Sequence, residues 1–231
     1  MLDVVRVREK PGFKFAEIRA ANPDLAHSSW WSFDDEQVVR DRHWKTGPGE
    51  IVLDVGAAFG SYALPALAAG ARVVAFSPAD FDTELLQHNL SLNPELARRC
   101  LVVRDGLHAQ DGWFDPDHSV FVKEPVRDLG EHDVGAWLRV RSLDSFMAEH
   151  PAIARVDLMK LDVEGAELDV LKGGEQTIRR YQPRVLVECH NFHRATLERE
   201  VWEFMTRLGL GYVGEVHPHG AVSHAFFAVR G

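Results

Sequence analysis

The sequence predicts an α/β protein, a doubly wound and mostly parallel sheet closed by an antiparallel C-terminal strand pair. Three observations predict it. From Ile51 onward, short apolar runs alternate with amphipathic stretches, the order expected of strands joined by crossover helices. Glycines punctuate the joins at Gly56, Gly60, Gly70 and Gly173–Gly174. The last two apolar runs, "GYVGEVHP" and "AFFAVR", have no helical stretch between them, so they pair antiparallel.

The elements follow in order. Residues 1–49 are an N-terminal segment and a candidate substrate lid; residues 50–231 are the sheet-bearing domain. The stretch "NPDLAHSSWWSFDDEQVVRDRHWKTGPGE" is polar, rich in Trp and broken by Pro and Gly. It holds a short predicted helix from Asp35 to about Trp44, with Ser32 and Asp34 as good N-cap types. "IVLDV" is a strand followed by a glycine turn, and "SYALPALAAG" is a helix of small residues closed by Gly70. "RVVAF" is the next strand. "DFDTELLQHNLSLN" is helical, with Phe81, Leu85 and Leu92 on one side. "CLVVR" is a third strand, and "GWFDPDHSVFVKEP" and "WLRVR" read as shorter, more exposed strands. "SLDSFMAEH" is a short helix capped by Ser142. "VDLMKLDV" is a strand, and "GAELDVLKGGEQTIRRY" is helical with a break at Gly173–Gly174. "RVLVECH" is a strand. "ATLEREVWEFMTRLG" is an amphipathic helix with Leu197, Val201, Phe204, Met205 and Leu208 at helical spacing. The two closing strands form a hairpin with a long loop.

The chain has 231 residues, 45% hydrophobic and 26% charged, which fits one α/β domain with a sizeable core. Its formal net charge of -9 disfavours a non-specific nucleic-acid binder, which leans on a basic surface. The two cysteines, Cys100 and Cys189, read as buried free thiols, which suits a reducing cytoplasm. The N-terminal residues lack the apolar core of a secretory signal, and no apolar run approaches the roughly 20 residues of a membrane span. The expectation is a cytoplasmic protein with no membrane and no nucleic-acid partner.

In open α/β sheets, ligands sit outside the carboxyl ends of the strands. Here those ends follow Val55, Phe76, Arg104, Leu161 and Glu188. At the first end, "LDVGAAFGSYAL" combines a carboxylate, Asp54, with a small-residue turn of Gly56, Ala57, Ala58 and Gly60. Outward-pointing backbone N–H groups make such a turn a nucleotide or nucleoside site; the plain alternative is a tight strand-to-helix turn.

"VDLMKLDVEGAELDVLKGG", followed by "PRVLVECHN", resembles the FkbM-type methyltransferases, class I enzymes that use S-adenosylmethionine. "LDVGAAFGSYAL" is similar to that family's first motif, "VRSLDSF" to its segment before the fourth strand, and "VVAFSP" to its second strand, which normally ends in Glu-Pro. The resemblance spans about Glu50 to Arg230. It implies a seven-stranded methyltransferase sheet and O-methylation of a hydroxyl, often on a sugar or a secondary metabolite. Two departures stand out: Ser77 replaces the expected Glu, and Ala58 an amide-bearing residue. A lost carboxylate–hydroxyl contact costs about 1.5–3 kcal/mol, or roughly tenfold to a hundredfold in affinity.

Under this resemblance the cofactor-binding candidates are Asp54, Gly56, Ala57, Ala58, Gly60, Ser77, Asp80, Asp105 and Asp162. Asp82 shares with Asp80 the candidacy for a carboxylate supplied from a shifted position. The catalytic candidates are His190, Asp162 and Glu188. Glu188 and His190 share a strand face, and a neutral imidazole there can take the proton of an acceptor hydroxyl. The same three residues can in principle bind a divalent metal. Their spacing is not that of a tight ligand motif, so no metal is assigned; His193, His217, His219 and His224 are further possible members of such a cluster. Glu164 and Glu167 serve either the ligand or the next helix's N-terminus. Lys160 is read as a structural partner of a carboxylate. Trp30, Trp31 and Trp44 either wall the acceptor site or pin the N-terminal segment.

The leading expectation is therefore an S-adenosylmethionine-dependent O-methyltransferase with a small-molecule hydroxyl acceptor. Two alternatives are a non-catalytic methyltransferase-like binding module and a nicotinamide-dependent oxidoreductase. The latter fits poorly: NAD wants an acid near Ser77, and Asp80 and Asp82 repel the 2′-phosphate of NADP.

Overall fold

The computed structural model describes residues 4–18, 37–115, 120–124, 137–191, 194–219 and 222–229. A seven-stranded sheet dominates. Its parallel strands are β3 (Ile51–Val55), β4 (Arg72–Phe76), β5 (Cys100–Val103), β10 (Leu158–Leu161) and β11 (Arg184–His190). The closing pair, β12 (Leu210–His219) and β13 (Val222–Val229), is antiparallel, and the spatial order is β12-β13-β11-β10-β3-β4-β5. The chain reverses direction across the sheet between β3 and β10. Only residues 220–221 separate the closing strands, where the sequence predicts a long loop.

Strand side chains alternate between faces, so each strand feeds two cores. One face buries Val52, Val73, Leu158, Leu186 and Phe226 beneath helices α2 (Ala63–Ala68) and α3 (Asp80–Ser91). The other buries Leu53, Val74, Met159, Val185 and Phe227 against α5 (Leu143–Glu149), α6 (Glu167–Gly173), α7 (Glu175–Tyr181) and α8 (Leu197–Arg207). Helix α8 presents Leu197, Val201, Phe204 and Met205 to that core, as its spacing predicts, and each such side chain contributes about 1.5–3 kcal/mol. The Ser142 hydroxyl accepts the Ser145 N–H at 3.1 Å and caps α5. Helices α6 and α7 divide at Gly173–Gly174 as predicted.

Helix α3 differs from the predicted face. Phe81 is exposed, and the buried side is Thr83, Leu85, Leu86, Asn89 and Leu90. The small helix α4 (Pro94–Ala97) follows it. The short, exposed strands form a second sheet of β6 (Gly106–Leu107), β7 (Gly112–Asp115), β8 (Val120–Val122) and β9 (Leu138–Arg141).

The N-terminal segment holds a hairpin, β1 (Val4–Lys10) and β2 (Phe13–Ile18), which the sequence analysis missed. The alternation of "VRVREK" and "FKFAEI" about Pro11–Gly12 is the signal that marks it. Phe13 and Phe15 enter the core beside α3, and the Asn89 and Asn93 side chains accept the Ala16 and Lys14 N–H groups at 2.7 Å. Helix α1 runs Gln37–His43. Trp44 after it is buried, donates to the Tyr62 carbonyl at 3.1 Å and packs edge-on against the Tyr62 ring. Trp30, Trp31 and His193 lie outside the described residues, as do the predicted caps Ser32 and Asp34. Of the thiols, Cys189 is buried and Cys100 half-buried, and neither is in a disulfide.

Candidate functional site

Six polar residues gather at the carboxyl ends of the central strands. In-register pairing sets Lys160 of β10 beside Asp54 of β3, and Glu188 of β11 beside His224 of β13. Asp162 follows β10, and His190 ends β11. Because side chains repeat every two residues, these groups share the face that carries Leu158, Leu186 and Phe226 further back. The same face is therefore apolar at its middle and charged at its rim.

On the β3 side, the glycine turn is shaped by close packing. Gly56 has φ +79°, and a Cβ there would fall 1.7 Å from the Asp162 carbonyl oxygen, so the turns after β3 and β10 touch. Gly60, at φ +96°, makes room for Leu86 of α3. The N–H groups of Gly56 and Ala57 both donate to the Phe76 carbonyl, at 3.1 and 2.9 Å. They serve the sheet and do not point outward, as the sequence reading had them. Ala58 sits in the left-handed region at φ 45°, a conformation that Gly or Asn adopts at lower cost.

Asp54 is fully buried; neither oxygen makes a hydrogen bond of good geometry, and Lys160 Nζ lies 4.0 Å from Oδ1. Burial raises its pKa to about 6, opposed by the Lys160 ammonium and helped by the Asp162 charge. At the end of β4, Ser77 is 2% exposed and its hydroxyl also lacks a partner. Its carbonyl is held by the Thr83 hydroxyl. Asp80 points out to Arg104. Asp82, two residues on, is half-buried, and burial and then the Asp162 charge raise its pKa. Asp105, after β5, lies 3.7 Å from Arg139 and 3.9 Å from Arg141.

On the β10–β11 side the groups are bound to one another. Lys160, 3% exposed, donates to the Gly56 carbonyl at 2.8 Å and to Asp162 Oδ2 at 2.9 Å. Its placement is the structural one read from the sequence. Glu167, the first residue of α6, turns inward and accepts the Gly165 N–H at 3.0 Å. The same oxygen lies 2.7 Å from His190 Nδ1. That oxygen serves both the turn and the histidine, so Glu167 is more than a cap. His190 Nε2 faces Glu164 at 3.4 Å, Asp162 at 3.7 Å and Glu188 at 3.9 Å. Burial lowers the His190 pKa, but the Glu167 hydrogen bond and the charges of Glu164 and Asp162 outweigh it and raise it to about 9. The imidazole is thus held protonated at neutral pH, where the sequence reading wanted it neutral. His224 Nε2 lies 3.0 Å from Glu188 Oε2. His217 and His219 belong to β12.

Two cavities lie elsewhere. One of about 150 Å³ opens at the opposite edge of the sheet, among Ile51, Arg72 and Cys100. The other lies between α5 and the α6–α7 break, beside Ser142 and Gly173. Neither touches the charged rim, and open α/β sheets bind at the rim. No helix among the described residues is long and apolar enough to cross a membrane.

The chain matches the family described as "Methyltransferase FkbM domain" over residues 54–213. It is 29% identical over 62% of its length to the AMB antimetabolite synthetase AmbE of Pseudomonas aeruginosa, of which it covers 8%. It is 26% identical over 61% of its length to Methyltransferase 1 of Beauveria bassiana, of which it covers 66%. The chain thus spans less than two thirds of the length of each curated relative it matches. Among solved structures, the methyltransferase FkbM of Methylobacillus flagellatus aligns with a TM-score of 0.64 at 19% identity, over 89% of this chain and 50% of that one. TYW2 of M. jannaschii, solved in complex with AdoMet, aligns with a TM-score of 0.51 at 12% identity, over 99% of this chain and 88% of that one.

Proposed function

The chain belongs to the methyltransferase FkbM family, and on that premise we propose an S-adenosylmethionine-dependent O-methyltransferase acting on a small-molecule hydroxyl, on a sugar or a secondary metabolite. One observation carries the cofactor. A buried carboxylate, Asp54, and a buried hydroxyl, Ser77, stand at neighbouring strand ends without a side-chain hydrogen bond of good geometry, and the Lys160 ammonium is 4.0 Å from Asp54. Buried polar groups left this way are costly unless a ligand answers them. A ligand with an ammonium group and ribose hydroxyls answers both, and an AdoMet complex of a similarly folded protein supports this.

The residues then divide the work. Asp54 holds the ammonium, and the turn of Gly56, Ala57, Ala58 and Gly60 beside it packs closely enough to bring the strand ends together. Ser77 gives the ribose one neutral hydrogen bond, and Asp82 supplies the carboxylate missing at position 77. Asp80 is turned toward Arg104, which leaves Asp82 the better candidate. Asp105 is the outermost carboxylate of the row. When bound, the cofactor supplies a methyl group on a sulfonium centre. Asp162, Glu188 and His190 face the acceptor; His190 takes the hydroxyl proton only in the fraction of chains that has lost its own, so turnover rises with pH toward about 9. Alignment of the acceptor oxygen does much of the remaining work in a displacement of this kind.

Calorimetric titration with S-adenosylmethionine tests the reading. One-to-one binding and a raised Tm are expected; no heat and no thermal protection at millimolar cofactor overturns it. Given an acceptor, a His190→Ala variant with full turnover removes His190 as the base.

A further inference from the structure

Three residues of the charged rim converge on one point, two of them hydrogen-bonded from behind and the third, Glu188, backed by His224 at ion-pair distance. Asp162 gives Oδ2 to Lys160 at 2.9 Å, which leaves Oδ1. His190 meets Glu167 through Nδ1 at 2.7 Å and turns Nε2 to the carboxylates, Glu164 being 3.4 Å away. Glu188 turns Oε2 to His224 at 3.0 Å, which leaves Oε1. The three remaining atoms face one another: Nε2 lies 3.7 Å from Oδ1 and 3.9 Å from Oε1. One ligand atom from each residue lies within 4.8 Å of the other two. Those separations are too long for hydrogen bonds. Ligands bound about 2.1 Å from one ion lie about 3.0 Å apart as octahedral neighbours and about 4.2 Å apart as opposites.

A separate observation points the same way. His224 is 5% exposed and Glu188 2% exposed, yet both ring nitrogens of His224 and Oε2 of Glu188 are without a hydrogen bond of good geometry. A buried pair at ion-pair distance but poorly aligned is costly by itself. It is the arrangement of an outer group orienting a metal ligand. Glu167 behind His190 is the carboxylate–histidine form of the same device.

We infer that Asp162, Glu188 and His190 bind a divalent cation at the acceptor side of the site, with Lys160, Glu167 and His224 orienting the three ligands. Two carboxylates and one imidazole suit a first-row ion such as Mn²⁺ or Zn²⁺ better than Ca²⁺, which takes six to eight oxygens. Three protein ligands leave open positions, as catalytic metal sites do, for water and an acceptor hydroxyl. In this arrangement His190 is a ligand, and Glu164, 3.4 Å from its Nε2, is left to receive the hydroxyl proton. That last role rests on the methyltransferase reading; the metal site does not.

The test uses Mn²⁺ alone, titrated into the purified chain and followed by the electron paramagnetic resonance of the free ion. One ion per chain is expected, displaced by Zn²⁺. Glu188→Gln abolishes binding. His224→Asn and Glu167→Gln each weaken it by roughly 10–100-fold. Glu149→Gln, on the outer side of α5, leaves it unchanged. Circular dichroism and S-adenosylmethionine binding on the same samples check that each variant folds. No binding at millimolar Mn²⁺, or binding that survives both Glu188→Gln and His190→Gln, overturns the inference. Cofactor binding without Mn²⁺ binding defeats this inference alone; Mn²⁺ binding without cofactor binding defeats only the methyltransferase reading.

Discussion

The two halves of the charged rim are built differently. On the β3–β4 side, neither Asp54 nor Ser77 makes a side-chain hydrogen bond of good geometry, and Lys160 Nζ stands 4.0 Å from Asp54. On the β10–β11 side, Lys160 donates to Asp162 at 2.9 Å and Glu167 meets His190 at 2.7 Å, while Glu188 and His224 stand 3.0 Å apart without such a bond. Under the proposed reading a ligand completes the first half, whereas the Lys160–Asp162 and Glu167–His190 bonds fix side chains before any ligand arrives, which is what an orientation-dependent reaction needs. Substitutions on the two sides should therefore fail differently, the second in folding and the first in binding.

The largest effect is expected at Glu167. Glu167→Ala strands buried His190 Nδ1 and the Gly165 N–H together, and costs about 3 kcal/mol in urea unfolding. Full stability in that variant would break the contrast between the two halves. Asp54→Asn should instead keep the fold and weaken S-adenosylmethionine binding by roughly 10–100-fold by calorimetry. Its pH behaviour sharpens the point. The Asp54 pKa is about 6 in the fold against 3.8 ordinarily, so between those values the folded chain holds a proton that the unfolded chain has lost. Its contribution to stability falls as pH rises through that window, and the penalty is fully present above about pH 6. Cofactor binding runs the other way, because an ammonium needs the ionised carboxylate, and should weaken as pH drops below about 6. Asp54→Asn should flatten both profiles.

A smaller effect separates the two aspartates of α3. Asp82→Asn should weaken cofactor binding by about tenfold, while Asp80→Asn changes it by less than about twofold. Equal losses would mean that Arg104 does not hold Asp80 away. The smallest effect is at Ala58, where φ is 45°. Ala58→Gly should stabilise the chain by about 0.5–1 kcal/mol in thermal unfolding, the relieved left-handed strain exceeding the extra entropy of an unfolded glycine.

Much of the fold is legible in the sequence because burial is periodic. Strand runs of four to seven residues, the α8 stripe, the Ser142 cap and the glycine break between α6 and α7 each declare themselves locally. The carboxyl-end rule then brings Asp54, Ser77, Asp162, Glu188 and His190 to one rim. Local signals mislead where packing decides. Phe81 fits the helical stripe of α3 yet is exposed, because the helix turns Thr83 and Asn89 inward to meet the Ser77 carbonyl and the N-terminal hairpin. The Gly56 and Ala57 amides look free in sequence and are taken by Phe76.

By itself, then, the sequence determined the α/β class, the antiparallel closing pair, the rim that holds the site and the family-like motifs on it. Only the tertiary structure decided who meets whom there. It set Glu167 behind His190, His224 behind Glu188, and Asp80 against Arg104. The reason is physical. Side-chain periodicity is written within a strand or helix and fixes which face a residue takes. The partner across that face depends on strand order, register and helix rotation, which join residues 23 positions apart in one case and 36 in the other.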